Sequence, residues 1–81
     1  MPSIEMKDLI INIAKALVDK PEEVIATEIK GQQNSVIELK VAKEDIGKVI
    51  GKHGRTADAM RYILMAASTK LRKRTTLEIL G

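Results

Sequence analysis

The chain has 81 residues, 44% of them hydrophobic, which suits one packed domain and is too short for two. It has no cysteine, one histidine and a single aromatic residue, Tyr62. That excludes a disulfide framework, a thiolate or multi-histidine metal centre, and ligand binding by stacking on aromatic platforms. The net charge of +3 divides into −2 over residues 1–40 and +5 over residues 41–81, so an anion-attracting field belongs to the second half.

Residues 4–18 read as a helix, with Met6, Ile10, Ile13, Ala14 and Leu17 on one stripe and Ser3 as its cap. Leu9 and Ile11 widen that stripe, and Pro21 ends the helix. Residues 23–30 and 35–41 read as two strands. The second alternates cleanly, with Ile37, Leu39 and Val41 on one face. Gly31-Gln32-Gln33-Asn34 between them is a hairpin turn. A short helix is expected over 43–50, with Glu44 and Asp45 in its first turn where the dipole favours carboxylates. After Gly51 and Gly54 a long helix runs over 55–72, with a core stripe of Ala57, Met60, Leu64, Ala67 and Leu71. Residues 75–80 form a last strand with Leu77 and Ile79 inward. There is no internal repeat or low-complexity segment, and residues 1–81 make one domain. No apolar run approaches the roughly 18 residues of a membrane span. Met1–Lys7 is not a basic stretch followed by an apolar one, so a cytoplasmic location is expected.

The stretch that carries chemistry is Ile46-Gly47-Lys48-Val49-Ile50-Gly51-Lys52-His53-Gly54-Arg55-Thr56-Ala57. Glycine at each end of a four-residue loop permits positive φ and removes side-chain bulk, so a phosphate backbone can approach the main chain. The loop opens directly into a helix N-terminus, where free N–H groups favour an anion. Lys48, Lys52 and Arg55 add positive charge, and the local chemistry is that of a phosphodiester clamp. His53 has no carboxylate or nucleophile at telling spacing, so no catalytic role is assigned and the chain is not read as an enzyme.

The segment Ile46–Gly54 resembles the KH-domain signature Ile-Gly-x-x-Ile/Val-Gly-x-x-Gly. The order α-β-β-α-α-β resembles the type II KH arrangement. The fold implied is α+β, a three-stranded sheet with the helices packed on one face. The chain is also similar to small stand-alone bacterial KH proteins of the KhpA (YlqC-like) family. Three segments carry that likeness: Leu9–Val18, Pro21-Glu22-Glu23-Val24 and Gly47–Thr56. The resemblance implies a single-stranded RNA-binding protein whose GxxG loop clamps about four nucleotides. It further implies an RNA chaperone or post-transcriptional regulator that pairs with itself or with a larger KhpB/Jag-like protein and influences cell-wall homeostasis and elongation. No metal or cofactor is expected.

The candidate RNA-binding residues are therefore Gly47, Lys48, Val49, Ile50, Gly51, Lys52, His53, Gly54 and Arg55. One of Val49 and Ile50 is expected in the core and the other on the floor of a base-binding groove. Lys70, Arg72, Lys73 and Arg74 are candidates for accessory RNA contact, although cations at a helix C-terminus also complement its dipole. The long helix carries a second apolar face at Ala59, Tyr62, Ile63 and Ala66, with Met65 beside it, which reads as a dimer face. The competing reading is a protein-interaction scaffold with weak nucleic-acid affinity.

Overall fold

The alternating segment Val36–Val41 lies at the centre of the molecule because both of its neighbours in the sheet are strands. The computed structural model describes residues 6–71 and 74–80, with the side chains of residues 70 and 71 left out of the description. Its regular elements are α1 (Met6–Leu17), β1 (Ile25–Lys30), β2 (Asn34–Lys40), α2 (Ile46–Ile50), α3 (Arg55–Leu71) and β3 (Arg74–Leu80). Single 3-10 turns at Pro21–Glu23, Lys43–Asp45 and Lys52–Gly54 join them. This is the α-β-β-α-α-β order of a type II KH domain.

The sheet order is β1-β2-β3, with β1 antiparallel to β2 and β2 parallel to β3. Register places Ala26, Leu39 and Ile79 side by side, and Glu28, Ile37 and Leu77 in the next row. Strand side chains alternate between faces, so these rows form the covered face. Ile37, Leu39 and Leu77 are buried there against Ile10, Ala14, Val49, Met60 and Leu64 from the helices. The opposite face carries Ile25, Ile29 and Leu80, all exposed. The Gly31 N–H donates to the Asn34 carbonyl to close the hairpin, and the Arg74 N–H donates to the Gln33 carbonyl, tying the start of β3 to that turn.

Several expectations are corrected in detail. Leu17 is 39% exposed; the core position at the end of α1 is taken by Val18, whose N–H still donates to the Ala14 carbonyl. The first strand begins at Ile25, because Pro21–Glu23 forms a 3-10 turn and Val24 is its buried exit. The helix expected over 43–50 is a 3-10 turn followed by a five-residue α-helix. Along α3 the buried positions are Ala57, Met60, Leu64 and Ser68, with Ala67 only half-buried. Arg74 opens β3 and so takes no part in the helix C-terminus. Ser3, Arg72, Lys73 and the Leu71 and Lys70 side chains lie outside the described residues.

Leu64 is fully buried among β-sheet and helix neighbours. Leu64→Ala should therefore lower unfolding free energy by about 2–5 kcal/mol in a urea titration. Leu17→Ala, on the exposed edge of the stripe, should cost about 1 kcal/mol or less. Equal losses at the two positions would contradict this packing.

Candidate nucleic-acid interface

Helix α2 ends where its chain cannot continue helically. Gly51 has φ 77° and ψ 170°, a region open to glycine and closed to L side chains, while its N–H still donates to the Gly47 carbonyl at 2.8 Å. The loop then tightens, with the Gly54 N–H donating to the Gly51 carbonyl at 3.0 Å. Gly54 has φ 75°, and His53 between the glycines sits in the left-handed region at φ 57° and ψ 24°. His53 is the only described non-glycine residue with positive φ. Such outliers concentrate where a chain is shaped for a ligand. Helix α3 starts at Arg55 immediately after the loop, and the Arg55 N–H donates to the Lys52 carbonyl, so the start of the helix is tied to the same turn.

The side chains sort clearly. Lys52, His53 and Arg55 are exposed, and among the described residues no carboxylate lies within ion-pair distance of them. Val49 is fully buried and Ile50 is 39% exposed, which divides the pair between core and surface as expected. Gly47 is exposed, with open space where a Cβ would stand, so α2 presents a bare patch next to the loop.

Lys48 is placed differently from the phosphate-facing role its sequence position suggests. Its ammonium pairs with Asp19 and lies 3.5 Å from Asp45 Oδ1. The Asp19 hydrogen bond is the first cause that holds the Lys48 pKa above the ordinary ammonium value. Asp45, 1% exposed, also accepts the Asp19 N–H at 3.2 Å and the Lys20 N–H at 3.0 Å. Burial pulls its pKa upward, but the two main-chain donors and the Lys48 ammonium outweigh burial and hold the carboxyl below the usual range. Nearby, Lys20 pairs with Glu44 at 3.1 Å and reaches Glu23 at 4.0 Å.

A cleft of about 580 Å³ opens between α3 and β3, lined by Arg61, Met65, Ser68, Thr69, Arg74, Thr75, Thr76 and Leu77. Thr75 and Leu77 belong to the covered sheet face and Thr76 to the open one, so the cleft follows the free edge of β3. Arg61 stands seven residues beyond Gly54, about 10 Å along the helix from the loop. Of these residues the sequence offers only Arg74 as an RNA contact, with Met65 beside the expected dimer face and Leu77 as a core position. In the sequence Arg61 and the hydroxyls of Thr75 and Thr76 read as solvated side chains, and only the pairing of helix with strand brings them together. The Thr75 and Ser35 hydroxyls, adjacent in the sheet register, are buried without a hydrogen-bond partner among the described residues.

On the far side of α3, Ala59, Tyr62, Ile63 and Ala66 are all exposed, Tyr62 at 68%. Met65, 56% exposed, lines the cleft and borders this apolar face. Among the described residues no three His, Cys, Asp or Glu side chains gather as metal ligands, and no helix is long and apolar enough to cross a membrane.

A helix–glycine loop–helix unit packed on a mixed three-stranded sheet defines a KH domain. The model of the KhpA/KhpB KH-domain family matches residues 7–79, and the chain belongs to that family. Similar proteins include the RNA-binding protein KhpA of Clostridium acetobutylicum, 53% identical over 93% of this chain and 100% of that protein. The RNA-binding protein KhpA of Caldanaerobacter subterraneus is 55% identical over the same shares, and that of Aquifex aeolicus 51% over 93% of this chain and 95% of its own length.

The two loop glycines should differ in tolerance. A Cβ on Gly51 would overlap the Thr56 hydroxyl and lie 2.7 Å from Thr56 Cβ and 2.9 Å from its backbone nitrogen. At Gly54 there is open space and only the positive φ to resist it. Gly51→Ala should cost more than about 2 kcal/mol in denaturant unfolding, and Gly54→Ala about 1–2 kcal/mol. Equal costs would mean that the Thr56 contact does not shape the loop.

Proposed function

We propose that this chain binds single-stranded RNA, with the Gly51-Lys52-His53-Gly54 loop clamping the phosphate backbone. The observation that carries this reading is the loop geometry: three of its four residues have positive φ, and Lys52, His53 and Arg55, exposed and without a carboxylate partner among the described residues, stand in it and at the start of α3. The KhpA relatives are RNA-binding proteins, which supports RNA as the ligand. In this reading the bare patch at Gly47 lets the backbone come close, and Ile50 offers an aliphatic floor to a base. The strand continues into the cleft along β3. There Arg61 and Arg74 meet phosphate, and Ser68, Thr69 and Thr76 offer hydroxyls to base edges. Lys48, held by two aspartates, is a secondary contact at most. The family resemblance extends the proposal to RNA chaperoning or post-transcriptional regulation in the cytoplasm, to pairing with a KhpB/Jag-like protein, and to an influence on cell-wall homeostasis and elongation.

Short single-stranded RNA should bind the wild type with an affinity that falls with salt, by about −0.7 in log–log slope per neutralised phosphate. The double variant Lys52→Asp/His53→Asp should stay folded and lose most of that affinity in a fluorescence anisotropy titration. Undiminished binding by the folded variant would move the contact to the cleft and Arg74.

The exposed set Ala59, Tyr62, Ile63 and Ala66 favours a second role as the face where two copies meet. Ile63→Asp should then convert a dimer to a monomer in sedimentation equilibrium while leaving the fold intact. A dimer that persists would remove this face from consideration.

A further inference from the structure

We propose that Asp45 is a positioning residue of the clamp, an inference that rests on the RNA-binding reading above. Its carboxylate fixes α2, and through α2 the Gly51–Gly54 loop, against the turn that follows α1.

Helix α2 has five residues, one turn and a fraction. So short a helix does not hold itself together, because nucleation costs more than its few hydrogen bonds return. It must be fixed from outside, and two side chains do this. Val49 is fully buried in the core, and Asp45 stands at the helix N-cap position. A carboxylate at that position ordinarily accepts from the first N–H groups of its own helix. Asp45 makes no such bond. It reaches across to a segment more than 20 residues earlier, where Oδ1 accepts the Asp19 N–H and Oδ2 the Lys20 N–H, while Lys48, three residues on in α2, supplies an ammonium. A carboxylate that is 1% exposed is costly unless partnered, and these three donors are its partners. The contact joins the end of α1 to the start of the loop-bearing unit. It also holds Lys48, with Asp19, out of the set of free cations beside the loop.

The sign of the effect on RNA separates this role from simple electrostatics. Removing a negative charge near a phosphate-binding loop should tighten binding. If Asp45 positions the loop, removing it should weaken binding instead. Asp19 is the control: its carboxylate is 79% exposed and shares Lys48, but it receives none of the main-chain bonds that fix α2.

The experiment compares Asp45→Ala, Asp45→Asn and Asp19→Asn with the wild type. It uses labelled mixed-sequence single-stranded RNA at several salt concentrations, together with amide hydrogen exchange at Gly51 and Gly54, whose N–H groups donate to the Gly47 carbonyl of α2 and the Gly51 carbonyl of the loop. Folded Asp45→Ala should bind about tenfold more weakly with an unchanged salt slope. Asp45→Asn, which keeps one acceptor, should recover part of the loss, and Asp19→Asn should bind at least as tightly as the wild type. Exchange at the two glycines should quicken in the Asp45 variants alone. Unchanged or tighter RNA binding by folded Asp45→Ala, or unchanged exchange, would overturn the proposal. If Asp45→Ala does not fold, Asp45→Asn is read by the same two criteria. A wild type that binds no RNA would refute the clamp reading, and the exchange data would still decide whether Asp45 positions the loop.

Discussion

Helix α3 buries Ala57, Met60, Leu64 and Ser68 against a sheet with one covered face, and this seating determines what every other surface of the molecule can be. The buried stripe fixes the rotation of the helix. Rotation in turn sends Arg61 and Met65 over the edge of β3, where the cleft forms, and sends Tyr62 and Ile63 outward. The helix start is fixed as well, because Gly51 folds back against Thr56 in the first turn. Loop, cleft and outer apolar face are thus three consequences of one packed helix. Met65, which lines the cleft and borders the outer face, is where two of them meet.

Charge is arranged by removal as much as by placement. The second half of the chain carries +5, yet its cations are not equally available. Lys48 is committed to Asp19 and Asp45, and Arg61 lies 3.4 Å from Asp58 on an exposed helix surface, a pairing weak enough to yield to another anion. Lys52 and Arg55 have no such partner among the described residues. Two cations without a carboxylate partner among the described residues thus flank the turn in which the main chain takes positive φ. On the open face of the sheet Glu38 and Glu78 stand in register beside each other, with Lys40 and Arg74 on the same face.

The fold and the loop were legible in the sequence because they rest on local signals. Alternation at Ile37, Leu39 and Val41, the i, i+3, i+4 spacing along α3 and the paired glycines each act within a few residues. What was not legible depends on distant partners. Asp45 looked like a dipole-complementing residue of its own helix; its true partners are N–H groups of Asp19 and Lys20, which carry no sequence signature. Lys48 looked free for the same reason. The cleft joins residues 61–69 to residues 74–77 through a helix–strand contact that periodicity in either element does not reveal. Leu17 fits the apolar spacing of α1, but the chain leaves the helix there and Val18 turns inward in its stead. Arg74 belonged to a run of cations that composition assigns to the helix end, whereas the ladder with Asn34 assigns it to the strand.

The single aromatic residue makes the loop conformation more than a detail. A protein that grips nucleic acid through stacked rings can leave the phosphate backbone to long, mobile cations. Tyr62, the one ring here, lies on the outer face of α3 and lines no part of the cleft. Under the clamp reading the grip falls to the main chain of the loop together with the Lys52, His53 and Arg55 side chains, and these converge only if the loop is rigid before the ligand arrives. Rigidity in a four-residue turn requires backbone angles that most residues resist. Glycine meets that requirement at positions 51 and 54 without a side chain. At position 53 the chain has a histidine in the left-handed region, where glycine or asparagine would sit at lower cost. That choice costs stability and places an imidazole at the tip of the turn, a cost that the clamp reading accounts for and the packing of the domain does not.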